Sequence, residues 1–311
     1  MNEEIKKAIQ NDFALADIPV PLFVLAPMVR YSKLAFRQLV SKYGADVVYT
    51  PMIYADSFCV SKKCAMAEFR TVENEMPIVQ FASHNAEDFA TAAELVYSHA
   101  SGIDLNCGCP KKAVTSKCCG AALLKNPELI ADIVKQTRGR ISDPNFVISC
   151  KIRIENDKER TMDLVRQLEA AGVSRIAIHG RTKLQGSHEE PDYDFIRTIK
   201  ESLNVPVFAN GGVHSYSDLI KVAKLTGADG IMVANGILTN PALFSRYEYV
   251  PQECVAQFIE LEGKHGLIFE LFHQHLIFML RHLMAKPDRL YFNELRDVGS
   301  VKKFMSLYTA S

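Results

Sequence analysis

Eight short apolar runs between residues 22 and 233, most of them followed by a stretch of helical periodicity, restrict this chain to very few folds. The runs cover 22–26, 46–49, 77–81, 103–106, 146–153, 174–179, 206–210 and 230–233. The first, Leu22-Phe23-Val24-Leu25-Ala26, has no polar alternation, which is the pattern of a strand buried on both faces. Between the runs, Ala35, Phe36, Leu39, Val40 and Tyr43 share one helical face, with Ser32 as the expected N-cap and Gly44 as the stop. Asn85 opens a helix carrying Phe89, Ala92, Ala93 and Val96, and Pro127 suits the first turn of another. Leu164, Val165, Leu168 and Ala171 point inward ahead of Gly172, and a further helix is expected around 193–203. Ser215 and Asp218 form a capping-box variant before a helix that Gly227 ends.

Eight strand-helix units predict a TIM (β/α)8 barrel over 21–245. A doubly wound open sheet would alternate in the same way. Gln80, Asn106, Lys151, His179 and Asn210 separate the two, because each lies near the C-terminal end of a different run. Closure brings those ends to one rim, whereas an open sheet spreads them along a line.

Residues 1–20 read as a polar leader, and 246–311 as a small C-terminal helical domain with periods at Val255, Phe258 and Leu261, then 267–284, then 290–305. No Pro-rich or Gly/Ser-rich linker separates them from the barrel, so they are expected to pack on it. The formal net charge is +0, so a nucleic-acid partner must be read from a local patch. Arg281, Lys286, Arg289, Arg296, Lys302 and Lys303 outnumber Asp288, Glu294 and Asp297 in the last part of the chain. That excess is the candidate patch for a phosphate backbone. The run 267–284 is interrupted by Glu270, His273, Gln274, His275, Arg281 and His282, which argues against a membrane span. With no signal-peptide pattern ahead of them, the 8 cysteines are expected to be reduced, in the cytoplasm or alternatively the nucleus. Cys107, Cys109, Cys118 and Cys119 lack paired C-x-x-C spacing, and no metal site is expected. The chain is expected to be a monomer.

Ile103 to Pro110 reads as a strand that ends in Asn106, turns at Gly108, presents a thiol and is stopped by proline. Lys151 lies in an otherwise apolar strand end, where a cation costs several kcal/mol unless an anion accepts it. A salt bridge or a charged cofactor would both answer. His179-Gly180-Arg181-Thr182 ends the sixth run with an Arg able to grip a phosphate or carboxylate. Asn210-Gly211-Gly212 and Ala234-Asn235-Gly236 follow runs seven and eight, where barrels commonly hold a phosphate on backbone amides. A planar cofactor with a phosphate would then cross the rim, its ring near Pro27, Met28, Val29, Gln80 and Lys151. FMN suits that description, since an amide matches the ring's donor and acceptor edge and a cation stabilises its reduced anion.

Ala26-Pro27-Met28 with Phe36-Arg37, Val79-Gln80-Phe81, and Asp104-Leu105-Asn106-Cys107-Gly108-Cys109-Pro110 resemble the signature of the tRNA-dihydrouridine synthases. Lys151-Ile152-Arg153, His179 to Thr182, Asn210-Gly211 and Asn240 to Phe244 continue it in order. The tail, with Phe272-His273-Gln274-His275 and Phe292-Asn293, is similar to the eukaryotic branch that modifies U20a and U20b. This resemblance implies that FMN, reduced by NADPH, passes hydride to C6 of a uridine in the tRNA D-loop while Cys109 protonates C5. Ordinary thiols, with pKa of about 8.5, are protonated at neutral pH and can serve as that acid. It further implies substrate contacts from Asn106 and Arg181, and tRNA binding by the helical domain. The chain departs from the pattern at Asn235, where Arg is usual, at Gly212, where Asp is common, and in Thr115-Ser116-Lys117-Cys118-Cys119. Two rival functions are an FMN dehydrogenase acting on a free pyrimidine, which would not need the helical domain, and a tRNA-binding barrel with weakened or lost catalysis.

Overall fold

Nine parallel strands account for the apolar runs: β1 (Leu22–Leu25), β2 (Val47–Val48), β3 (Ile53–Tyr54), β4 (Ile78–Ala82), β5 (Gly102–Cys107), β6 (Val147–Arg153), β7 (Arg175–His179), β8 (Val207–Asn210) and β9 (Gly230–Val233). The computed structural model describes residues 1–308. Hydrogen bonding runs in the order β2-β1-β9-β8-β7-β6-β5-β4-β3. The two ends of that order, β2 and β3, are successive pieces of one stretch. Tyr49 bridges Ile78, and the Thr50 N–H donates to the Ile78 carbonyl at 3.0 Å, so this stretch links β1 to β4 and closes the ring. Pro51 breaks it in the middle, having no N–H for the ladder. The expected second strand is therefore two short ones, and the barrel is confirmed.

Side chains of alternate residues point into the ring, where Val24, Ala26, Tyr49, Ile78, Ala177, Phe208 and Met232 form a separate inner core. The outer core lies between the strands and the helices around them. Asn85 caps helix Ala86–Val96, Pro127 begins Pro127–Arg140, and Ser215 and Asp218 form the capping box of Tyr216–Thr226. Gly227 ends that last helix at φ +61, a conformation open to glycine at little cost. Helix Leu34–Lys42 starts from Lys33, not Ser32. The Ser32 hydroxyl instead accepts from the Met28 N–H at 3.0 Å and donates to the Met28 carbonyl at 3.2 Å. Two helices that the sequence reading did not name, Ala55–Val60 and Lys62–Glu68, connect β3 to β4.

The leader is a helix, Glu3–Leu15. One apolar residue per turn is hidden among its charges: Ile9 and Phe13 are buried, with the Phe13 ring 6.2 Å from that of Phe23. Arg37 in helix Leu34–Lys42 holds Glu75 through Nε at 2.7 Å and Nη2 at 3.0 Å, with both side chains at most 5% exposed. Removing one partner leaves a buried charge alone. Arg37→Ala is expected to lower the unfolding free energy by about 3–5 kcal/mol, read from urea titration at constant slope.

Beyond the barrel lie helices Gln252–His265, Phe269–Leu280, Lys286–Asn293 and Val298–Tyr308. Positions 309–311 of the expected 246–311 domain lie outside the described residues. The helical part is joined to the barrel through His275, whose Nε2–H donates to the Tyr31 carbonyl at 3.1 Å and whose ring stacks on Phe36 at 4.4 Å. Burial lowers its pKa to about 3, the hydrogen bond to Tyr31 opposing the shift. An imidazole titrates near ~6.5 when unfolded, so between those two values the unfolded chain binds the extra proton. Stability is thus full above pH ~6.5 and falls as pH drops, by up to ~1.4 kcal/mol per pH unit from this group. Thermal melts between pH 7.5 and 5.5 should show that slope, and His275→Gln should flatten it.

Candidate active site at the barrel mouth

Strand register assembles the polar residues. Gln80, Asp104, Ser149 and Arg175 are successive cross-strand partners on β4 to β7; Asn106 lies beside Lys151; Arg153, His179, Asn210 and Met232 form a row across β6 to β9. The expected rim residues therefore sit together at one end of the ring.

Lys151 has no hydrogen-bond or ion-pair partner among the described residues. Burial lowers its pKa to about 8, a shift that nearby Asp104 opposes and Arg153 reinforces. Of the two answers available from sequence, the salt bridge is not found among the described residues. His179 is held neutral, its pKa lowered to about 2 by burial and by the charges of Lys151, Arg153 and Arg181. Lys151, Arg153 and Arg181 thus concentrate positive charge around one imidazole at this end of the ring.

Beside them is a cavity of about 230 Å³ lined by Arg153, His179, Asn210, Gly211, Gly212 and Asn235. Asn210 is fixed by Nδ2 donating to the Met232 carbonyl at 2.7 Å. Gly212 has φ +75, and a Cβ there would come within 2.0 Å of the Tyr193 hydroxyl, so no side chain fits. Ala234 precedes helix Asn235–Thr239, which begins at Asn235, so its first backbone amides have no partner within the helix. Backbone amides and glycine surfaces are thus part of what this chain offers to a ligand in this cavity. Arg181 is engaged with its own loop, donating through Nη2 to the Ser187 carbonyl at 3.1 Å, with Nη1 3.2 Å from His179 Nε2. Arg181 also lines the cavity, so these bonds hold its guanidinium in place there beside His179.

At the opposite side of the mouth stands Cys109, half-buried. Its N–H donates to Asn106 Oδ1 at 2.9 Å and its carbonyl accepts from the Ala121 N–H at 3.0 Å. Gly120, at φ +62, permits that closure, since a Cβ would lie 2.6 Å from the Cys109 oxygen. Cys109 packs against the small buried cluster of Ala82, Val114 and Cys119. All 8 cysteines are free. Gln80 is buried with both amide ends occupied: Nε2 donates to Asp104 at 2.8 Å, and Oε1 accepts from Asn106 Nδ2 at 2.9 Å. One N–H and one lone pair remain for a ligand. Met28 is buried with its backbone tied to Ser32, Pro27 is half-buried, and Val29 is exposed.

A thiol, a free ammonium and a glycine-lined anion cavity share one barrel mouth, and the family model that matches residues 24–295 is "Dihydrouridine synthase (Dus)". The chain belongs to that family. A tRNA-dihydrouridine synthase-like protein of Caenorhabditis elegans is 50% identical over 90% of this chain and 98% of its own length. The mouse protein named tRNA-dihydrouridine(20a/20b) synthase [NAD(P)+]-like is 44% identical over 91% of this chain and 87% of its own. Among solved structures, morphinone reductase in complex with tetrahydroNAD superposes with a TM-score of 0.53 over 78% of this chain and 90% of its own, at 8% identity. That last likeness concerns the barrel fold alone.

For this dihydrouridine synthase family member, sequence reasoning passed over Asp104 as a site residue, together with Ser149 and Arg153. The signal was present. Asp104 with Asn106, and Ser149 with Lys151 and Arg153, occur at alternate positions of two strands that read as buried. Each such set falls on one face, and a charge on the inner face of a barrel needs a reason.

Proposed function

We propose that this chain reduces uridine to 5,6-dihydrouridine in the D-loop of tRNA, at positions 20a and 20b, with bound FMN and with NADPH as reductant. The observation that carries this reading is that Lys151, unpartnered among the described residues, sits on β6 directly across from Asn106, the residue whose side chain holds the Cys109 loop. The residues fit a flavin: Lys151 suits a ring that gains negative charge, and Gln80 with the backbone at Pro27, Met28 and Val29 suits its edge. His179, Asn210, Gly211, Gly212, Ala234 and Asn235 would hold the phosphate through small side chains, backbone amides and a neutral imidazole. When bound, the flavin supplies hydride to the pyrimidine.

The rest falls to the chain itself. Cys109 supplies the proton to C5, and its loop is tied at both backbone groups so that the thiol presents itself from the far side of the base. Asn106 orients that loop and reaches the substrate from the same side. A uridine must leave its stack to reach such a pocket. The basic excess on the terminal helices, Lys286, Arg289, Lys302 and Lys303 among them, fits the backbone of tRNA. The protein acts as a monomer in the cytoplasm, or alternatively the nucleus. No described helix is long and apolar enough to cross a membrane.

Purified protein is expected to be yellow, to release FMN on denaturation, and, without oxygen, to oxidise more than one equivalent of NADPH per flavin only when tRNA is added. NADPH oxidation driven by free uridine, with no response to tRNA, would overturn the tRNA assignment.

A further inference from the structure

Asp104 takes no part in the chemistry proposed above, yet it lies fully buried inside the ring. A carboxylate there is costly unless its oxygens are used. Both are: Oδ1 accepts from the Ser149 hydroxyl at 2.7 Å and Oδ2 from Gln80 Nε2 at 2.8 Å. From Gln80 the chain of bonds continues through Asn106 Nδ2 to Asn106 Oδ1, which accepts the N–H groups of Cys109 at 2.9 Å and Gly108 at 3.2 Å. The two ends of this relay are chemically unambiguous, since a carboxylate only accepts and a backbone amide only donates. Only one orientation of the two intervening amides satisfies every bond. Charge strengthens the first link, because a hydrogen bond to a carboxylate is roughly twice as strong as a neutral one. Lys151 on β6 and Arg175 on β7 favour the ionised form against burial, which raises the Asp104 pKa to about 6.

We propose that Asp104 is a positioning residue for the Cys109 thiol, fixing the donor-acceptor direction of the Gln80–Asn106 relay and so holding the loop 107–110 in one conformation. The inference rests on the reading of Cys109 as the acid that serves a reduced uridine; the relay itself does not.

The test is a double-variant cycle. Asn106→Asp sets a second acceptor against Gln80 Oε1, and flipping Gln80 only moves the conflict to Asp104. Adding Asp104→Asn removes it: the new amide donates to the flipped Gln80 oxygen, and the Gln80 nitrogen donates to the carboxylate introduced at 106. The effect of Asp104→Asn on melting temperature is therefore expected to be more favourable in the Asn106→Asp background than in the native one. In Asp104→Asn alone, hydrogen exchange of a peptide spanning 103–110 should speed about tenfold at the loop amides. Because Gln80 also borders the proposed flavin and Asn106 the substrate, flavin content and KM for tRNA should shift less than twofold, and flavin reduction by NADPH should slow less than transfer to tRNA, which slows about tenfold. A general disturbance of the barrel would damage both half-reactions alike. Additive melting effects, or native exchange with a native transfer rate in Asp104→Asn, overturn the proposal. Native protein that reduces flavin but never tRNA overturns the uridine reading instead, and the melting cycle and the exchange rates then decide the relay on their own.

Discussion

Cys109→Ala protein is expected to stay folded and yellow, to take up hydride from NADPH at the native rate, and to turn over tRNA at least a hundredfold more slowly. General acids contribute about 10²–10⁴ to rate, and Cys109 is the proposed donor, its backbone tied at both its N–H and its carbonyl. The substitution removes only a sulfur from a half-buried position whose backbone is held by Asn106 and Ala121, so the loop has no reason to collapse. Cys109→Ser should recover little, because a hydroxyl is a far weaker acid than a thiol. Stopped-flow spectra separate the two half-reactions. Equal loss in both would mean that the variant had disturbed the flavin pocket and not the acid.

Lys151→Met should produce the opposite pairing of effects. Without flavin, the variant is expected to be at least as stable as the native protein, because the native side chain keeps a cation at a buried strand end without an ion pair. Its flavin affinity should fall about tenfold to a hundredfold, the loss of one charge-assisted bond worth ~1.5–3 kcal/mol. A residue kept for folding does not behave in this way. Thermal melts of flavin-stripped protein, with flavin titration of the same sample, give both quantities. A variant that is destabilised yet binds flavin normally would return Lys151 to the scaffold.

Much of this architecture was legible because its signals are local. Leu22 to Ala26 has the pattern of a strand buried on both faces, and Phe23 to Ala26 are buried as that pattern implies; Ser215 with Asp218 opens a helix. What escaped depended on distant neighbours. The break of the second strand at Pro51 is tolerated because Tyr49 and Thr50 find Ile78, which lies far along the chain. The leader looked solvated because Ile9 and Phe13 are thinly spread among charges, and only Phe23 beneath the barrel shows what they cover. Arg181 could be placed beside a ligand from its motif, but the Ser187 carbonyl that fixes its Nη2 lies on a loop without periodicity. Gln80 was expected near the rim, and strand register with Asp104 determines how little of its amide remains free. Chemistry-bearing residues were easier to find than the polar network beneath them, because a motif names its ends and not its supports.

The most direct test of the central claim is to incubate the purified protein with NADPH and unmodified tRNA and map the product by mass spectrometry of nuclease fragments. A gain of two hydrogen atoms at the D-loop uridines 20a and 20b, lost in Cys109→Ala, is the predicted result. Flavin-loaded protein that leaves those uridines unchanged, or a Cys109→Ala variant that reduces them as fast as the native enzyme, would contradict it.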